Sequence, residues 1–427
     1  MRLNYYLHIL NFNFPAKEPS QVELINPIIA FIIALATFAI LLYKHVGIGS
    51  SLSLAALLLG LLATGPAQTL QALLETLRDY DALTVIFASF AIMLLSQIYK
   101  ETSLINVLTN SISRLIRNSK VILGLIPAVI GLMPVAGGAL MSAPMVDEEA
   151  EKLKLNRVKK TYVNLWFRHT IFPIYPVSSL LILTATLTHT SMFSIIYRQI
   201  PVVIGMIVIG YLIGLWKAKP TKDKEETLRT ISRRDDLTKF LFSFSPMLFI
   251  IILVAAFEVN VAISAFVGVF FLILISKPKN ETLTKIFKKW SVYEVTLAAF
   301  GAFFFRNTIK SSGLSEIISG MLFQGNFDEA LLLIFLPMVL AFLIGSPSGG
   351  IAISVPILSE ILDFTAKSTS LLFMSAYLGY LGAPTHLCLA FTAEYFKSSL
   401  SEIYKYLVPS LILSMILTFF VYLFIPA

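Results

Sequence analysis

Ten stretches of this sequence run apolar for roughly the length a helix needs to cross a bilayer, about 20 residues. They are 26–43, 51–66, 83–99, 161–188, 193–215, 239–257, 259–275, 292–308, 369–392 and 404–425. Only 14% of the 427 residues are charged and 57% are hydrophobic, whereas a soluble domain carries about a quarter charged residues. So little charge does not cover the surface of a soluble chain of this length, and lipid must cover much of it. The expected fold class is an all-α polytopic membrane protein. The net charge of +8 does not point to nucleic acid, because the basic residues sit in short loops between apolar spans. The single cysteine, Cys388, excludes an internal disulfide framework and a cysteine-rich metal site. Residues 1–20 have no clean apolar core before a small-residue cleavage site, so no cleavable signal peptide is expected.

Two further apolar stretches, 121–145 and 329–357, are broken by Pro and paired Gly into halves too short to span. Each reads as a re-entrant hairpin, a backbone tolerated at membrane depth only inside protein or beside a water-filled cavity. The two resemble each other. Residues 137–145 read GGALMSAPM and 349–357 read GGIAISVPI, 212 residues further on. The spans recur at about the same interval. The chain therefore divides into an N-terminal segment (1–25), a first repeat (26–215), a linker (216–238) and a second repeat (239–427). Each repeat holds five transmembrane helices plus one re-entrant hairpin.

Basic loops give orientation, since short Lys/Arg-rich loops stay in the cytoplasm. The stretches 147–160, 217–239 and 277–289, with Arg114, Arg117 and Lys120, are rich in Lys and Arg. Placing all of them in the cytoplasm makes the halves inverted and puts both termini outside. The first hairpin then opens to the cytoplasm and the second to the outside. The linker is expected to carry a short polar helix.

Inverted repeats with broken helices place their sites near the midplane, where unwound backbone offers N–H groups and carbonyls. The candidate tips are Pro134 to Ser142 and Pro347 to Ser354. Gly137, Gly138, Gly349 and Gly350 allow tight turns, or else pack the hairpins. Ser142 and Ser354 face a ligand, or else bond back to their own helices. The span after each hairpin is also interrupted, at RHTIFPIYP (Pro173, Pro176) and LGYLGAPTH (Pro384), where proline removes a backbone donor. Ionisable residues inside spans are costly and usually functional. Arg168, His169 and His386 are mid-span, Arg306 is near a span end, and Thr170 and Thr385 flank the breaks. Arg306 snorkelling to the interface is the alternative for that residue, and plain hydrogen bonding is the alternative for the histidines. Asp and Glu are nearly absent from the spans, so a buried Arg points to an anionic ligand. Ser96–Gln97 and Arg306–Asn307, at similar repeat positions, suggest two polar pairs facing one cavity. A sodium ion would find carbonyls and hydroxyls near Pro134, Ala136, Ser348 and Pro384.

With these motifs the chain resembles the ion transporter superfamily of divalent-anion/sodium symporters, citrate-type carriers, arsenite permeases and some sodium/proton antiporters. The segments GLMPVAGGALMSAPMVDE and IGSPSGGIAISVPI resemble an uncharacterised integral-membrane family within it. The resemblance implies a scaffold domain and a transport domain, a homodimer, elevator-like movement, and a site between the hairpin tips and the broken helices. In place of the symporters' Ser-Asn-Thr signature, the tips here read PVAGG and PSGG. The expected function is secondary transport of a small anion, a carboxylate or inorganic oxyanion, coupled to a Na+ or H+ gradient across the plasma membrane. A cation/proton antiporter is the alternative. An enzyme is not expected, since there is no HExxH, GxSxG or intramembrane aspartate pair, and no cofactor is expected beyond the coupling ion.

Overall fold

The computed structural model describes residues 24–116, 118–132, 139–218, 233–324 and 327–425, and these fold as helices with no strand among them. The chain begins α1 (Pro27–Tyr43), α2 (Ile48–Ala63), α3 (Gly65–Arg78), α4 (Tyr80–Glu101) and α5 (Leu104–Leu115). A pair of short helices follows, α6 (Ser119–Gly131) and α7 (Ala139–Lys152). Next, α8 (Arg157–Arg168) breaks into a 3-10 turn (Phe172–Ile174) before α9 (Ser179–Leu187), and α10 (Met192–Gly210) ends in a π turn (Tyr211–Leu215). The remainder runs α11 (Arg233–Phe257), α12 (Val261–Ser276), α13 (Asn280–Phe287), α14 (Trp290–Ser311) and α15 (Leu314–Gln324). A second short pair follows, α16 (Glu329–Ile344) and α17 (Pro347–Leu358). The chain then continues through α18 (Ala366–Gly382), α19 (Leu387–Tyr395) and α20 (Leu400–Phe424).

By length and composition, α4, α10 with its π turn, α11 and α20 qualify as membrane-crossing helices. The bent pair formed by α8 with its 3-10 turn and α9, at 42°, raises the number to five. The ten spans expected from sequence are therefore not all helices of crossing length. With 17, 16 and 16 residues, α1, α2 and α12 reach only about 24–26 Å, against a hydrocarbon core of about 30 Å. The linker region 219–232, where a polar helix was expected, lies outside the described residues.

The outer face is apolar. In α20 and α11 only 28% of the most apolar window is buried, against 72% in α4. Large hydrophobic side chains such as Ile204, Phe249, Ile252, Ile412 and Phe420 point outwards. A soluble monomer does not expose so much contiguous apolar surface, so this is the exterior of a helical membrane protein, with α4 largely buried inside it.

Close packing here uses small residues, as between membrane helices generally. Gly49 of α2 lies against the backbone of Glu294 and Ala298 in α14, and Gly301 lies against Ser53. The Glu294 carboxylate accepts from the Ser50 amide (3.1 Å), the Ser50 hydroxyl (2.9 Å) and the Trp290 indole (3.0 Å). Arg198, buried near the start of α10, donates to the carbonyls of Val421 and Ile425 (3.1 and 2.9 Å). It thereby caps the carbonyl end of α20 with a cation, as the helix dipole favours.

Ion pairs show that α4 and α14 run antiparallel. At the start of α4, Asp79 accepts from Arg306 (2.7 Å), while Asn307 donates to Thr76 (2.9 Å). At its end, Glu101 accepts from Lys285 (3.0 Å) and from Lys289, and Gln97 accepts from Lys289 (3.1 Å). This corrects two expectations. Arg306 is matched by an acid, so the argument from missing carboxylates does not reach it. The pairs Ser96–Gln97 and Arg306–Asn307 do not face one cavity. They lie towards opposite ends of the α4–α14 pair, since Gln97 is 18 residues beyond the Asp79 that Arg306 meets, roughly 27 Å at 1.5 Å per residue.

The two lysines hold the Glu101 carboxyl below its ordinary value of 4.5, against a weaker opposing effect of burial. At Asp79 burial pushes the value up, but the Ala82 amide and Arg306 outweigh it, and the net shift is down. A carboxyl depressed in the folded state stabilises fully above its unfolded pKa, and that contribution is lost as pH falls through the folded value. Melting temperature should therefore fall on acidification below about 4.5. Glu101→Gln should lower it at neutral pH and flatten the acid limb. Melting curves of both proteins from neutral to acid pH check this.

Candidate functional site

Prolines break the two helices that build the site. Before Pro176, Tyr175 is extended (φ −82°, ψ 111°), and before Pro384, Ala383 is too (φ −68°, ψ 130°), as a following proline requires. The chain therefore leaves α8 at His169 and resumes at α9, and leaves α18 at Ala383 and resumes at α19. The freed carbonyls find donors. The Tyr377 hydroxyl donates to His169 O (2.8 Å) and the Tyr404 hydroxyl to Gly382 O (2.9 Å).

These breaks meet. The His169 and His386 rings lie 4.8 Å apart, edge to face, and Tyr380 lies 4.1 Å from His386. Tyr377 stacks on Phe172 at 5.9 Å. Arg168 is 5% exposed and His386 is 0%. His169 and Thr170 are buried too, while Pro384 and Thr385 are exposed. His169 Nδ1 lies 2.7 Å from Leu165 O, and Thr170 donates to Phe167 O (2.9 Å).

A short helix pair ends beside each break. Gly131, the last residue of α6, abuts the Arg168 carbonyl. In the second pair the turn falls at Gly345, whose φ of +69° suits glycine, and Gly345 abuts Thr385. Ser346 caps α17 by accepting from the Gly349 amide (3.3 Å), and its hydroxyl lies 2.9 Å from that of Ser348. This corrects the expected tip. Gly349 and Gly350 lie within the first turns of α17, not at the turn. They are packing residues: a Cβ on Gly350 would come within 2.9 Å of the Ala341 amide nitrogen of α16. Gly137 and Gly138, with Pro134 and Ala136, lie outside the described residues.

Of the two serines, Ser354 donates to Gly350 O (2.6 Å), within its own helix. Ser142 donates to Asn164 Oδ1 (2.6 Å), and Asn164 Nδ2 donates to Ala139 O (3.0 Å) and Thr392 Oγ1 (3.4 Å). This buried knot joins α7, α8 and α19. Arg168, His169, Thr170 and His386 thus come together at the breaks, with Thr385 at their exposed edge. Arg306 is elsewhere. The sequence reading missed Tyr377, Tyr380, Cys388 and Asn164. Asn164 had a signal, since it lies one helical turn before Arg168 on the same face.

Among solved structures, the fold is similar to that of MtrF from Neisseria gonorrhoeae, described as illuminating a class of antimetabolite efflux pumps. The TM-score is 0.51 at 12% identity, covering 94% of this chain and 95% of that one. No curated protein sequence matches the chain. Residues 28–425 match the family described as "Protein of unknown function (DUF401)", and the chain belongs to that family.

Proposed function

We propose that this protein is a secondary active transporter of a small anion, a carboxylate or inorganic oxyanion, and not an enzyme. A Na+ or H+ gradient drives it. The observation that carries this reading is the meeting of the two helix breaks at buried Arg168. Segments 152–222 and 364–393, which supply the two breaks, contain no Asp or Glu, and the acids of the short pairs lie at their outer ends, from Asp147 on in α7 and at Glu329 in α16. A guanidinium in such surroundings favours an anion, which it grips in bidentate fashion. The fold shared with an efflux pump supports transport in general.

The reading extends to the architecture: two inverted halves, two re-entrant hairpins, cytoplasmic basic loops, termini outside, a plasma-membrane homodimer and elevator-like movement. Four contacts agree with the orientation. Arg157–Glu402 and Lys285–Glu101 each join segments assigned to the cytoplasm. Arg306–Asp79 and Arg198–Ile425 each join segments assigned to the outside. The purified protein in proteoliposomes, tested with a panel of carboxylates and oxyanions under imposed Na+ and H+ gradients, should accumulate at least one anion. Cation exchange with no anion requirement would replace this reading with the antiporter.

A further inference from the structure

We propose that His169, His386 and Cys388 form a site for one divalent transition-metal ion of the zinc class, bridging the two helix breaks. Their ligand atoms lie within 4.8 Å of one another and all three residues are buried. His169 comes from the end of α8, His386 from the second break and Cys388 from the first turn of α19. A bound ion would tie the two broken segments together.

The donors suit such an ion. The contact of His169 Nδ1 with Leu165 O keeps the proton on Nδ1 and leaves the Nε2 lone pair free, the usual arrangement behind a metal-bound histidine. The Leu381 carbonyl is near His386, yet neither ring nitrogen makes a hydrogen bond of ordinary geometry among the described residues. A buried polar group left so is costly, and ligation would satisfy one nitrogen. Cys388 adds a soft donor that binds as thiolate, releasing its proton. Two imidazoles and a thiolate are the nitrogen and sulfur donors that zinc takes, and they leave a fourth position for water or an anion. Bonds of about 2.0–2.3 Å put tetrahedral ligand atoms about 3.5 Å apart, so the trio closes by about an ångström on binding. Arg168 lies within electrostatic reach of both imidazoles. It opposes a dication, and the thiolate offsets one unit of that charge. A soft borderline ion is thereby favoured over Mg2+ or Ca2+, which demand oxygen ligands.

Titration of the purified protein with Co2+ tests this without any transport assay, so its failure is distinguishable from failure of the anion reading. One Co2+ per chain should bind, with a sulfur-to-cobalt charge-transfer band and the intense d–d bands of a tetrahedral site, and Zn2+ should bleach both. Cys388→Ser should lose the charge-transfer band, and His386→Asn should weaken binding at least about tenfold, as loss of a supporting group already does. Because Cys388 is the chain's single cysteine, the wild-type protein provides a second readout that needs no variant to fold. Zn2+, but not Mg2+, should slow its reaction with a thiol reagent. A Co2+ spectrum without the thiolate band, or thiol labelling that Zn2+ leaves unchanged, overturns the site.

Discussion

Arg168→Gln should cut anion uptake about a hundredfold while the protein still purifies as a folded, monodisperse species. The guanidinium sits where both breaks meet, in segments without a carboxylate, and Gln cannot supply its charge. A hydrogen bond to a charged group contributes about 1.5–3 kcal/mol, and 1.4 kcal/mol is tenfold in affinity. Uptake at low substrate should therefore fall about a hundredfold. Arg168→Lys should recover little, because an ammonium lacks the planar fork that meets two anion oxygens at once. The measurement is initial uptake in proteoliposomes, with melting temperature recorded alongside. Cation exchange that persists unchanged in Arg168→Gln would remove the anion from the mechanism.

The largest loss of stability is expected from Gly379→Val. Gly379 of α18 touches the Met338 backbone of α16, whose carbonyl carbon and Cα would each stand 2.9 Å from an added Cβ. Backbone at that range does not rotate away as a flexible side chain would. Overpacking of this kind costs about 1–3 kcal/mol and occasionally more, and here it would lift the second short pair off the helix that leads into its break. The melting temperature should drop by several degrees, or the protein should fail to leave the membrane as a single species. Gly320→Ala is the control. Nothing lies within 4 Å of a Cβ there, and alanine is the better helix former by about 1 kcal/mol. A Gly379→Val protein as stable as the wild type would show that α16 and α18 are not in such close contact.

Much of this was legible in the sequence because membrane helices advertise themselves by composition. The breaks at 169–178 and 383–386 were legible because proline acts on its own backbone and its neighbour's, whatever the surroundings. The short amphipathic helices α3, α5, α13 and α15 were not anticipated. At 14, 12, 8 and 11 residues they carry too few apolar residues to register as spans. In α5 the signal was present as Leu104, Ile105, Leu108 and Ile112, buried at helical spacing. Arg306 was misjudged because its acid lies 227 residues away, at the far end of another element.

What the sequence determined by itself is whatever depends on local chemistry: an all-helical chain dressed for lipid, broken twice beside prolines, with Arg168, His169 and His386 at the breaks. What only the tertiary structure decided is which polar groups share a space. His169 meets His386 and Cys388, Asn164 knots α7 to α19, and Arg306 finds Asp79, each through contacts more than 200 residues apart except those of Asn164 with Ser142 and Ala139 within the knot. Such partners are set by how helices cross and dock, and small residues such as Gly49, Gly131 and Gly379 set how closely they dock. Neither is written in the spacing along one chain segment.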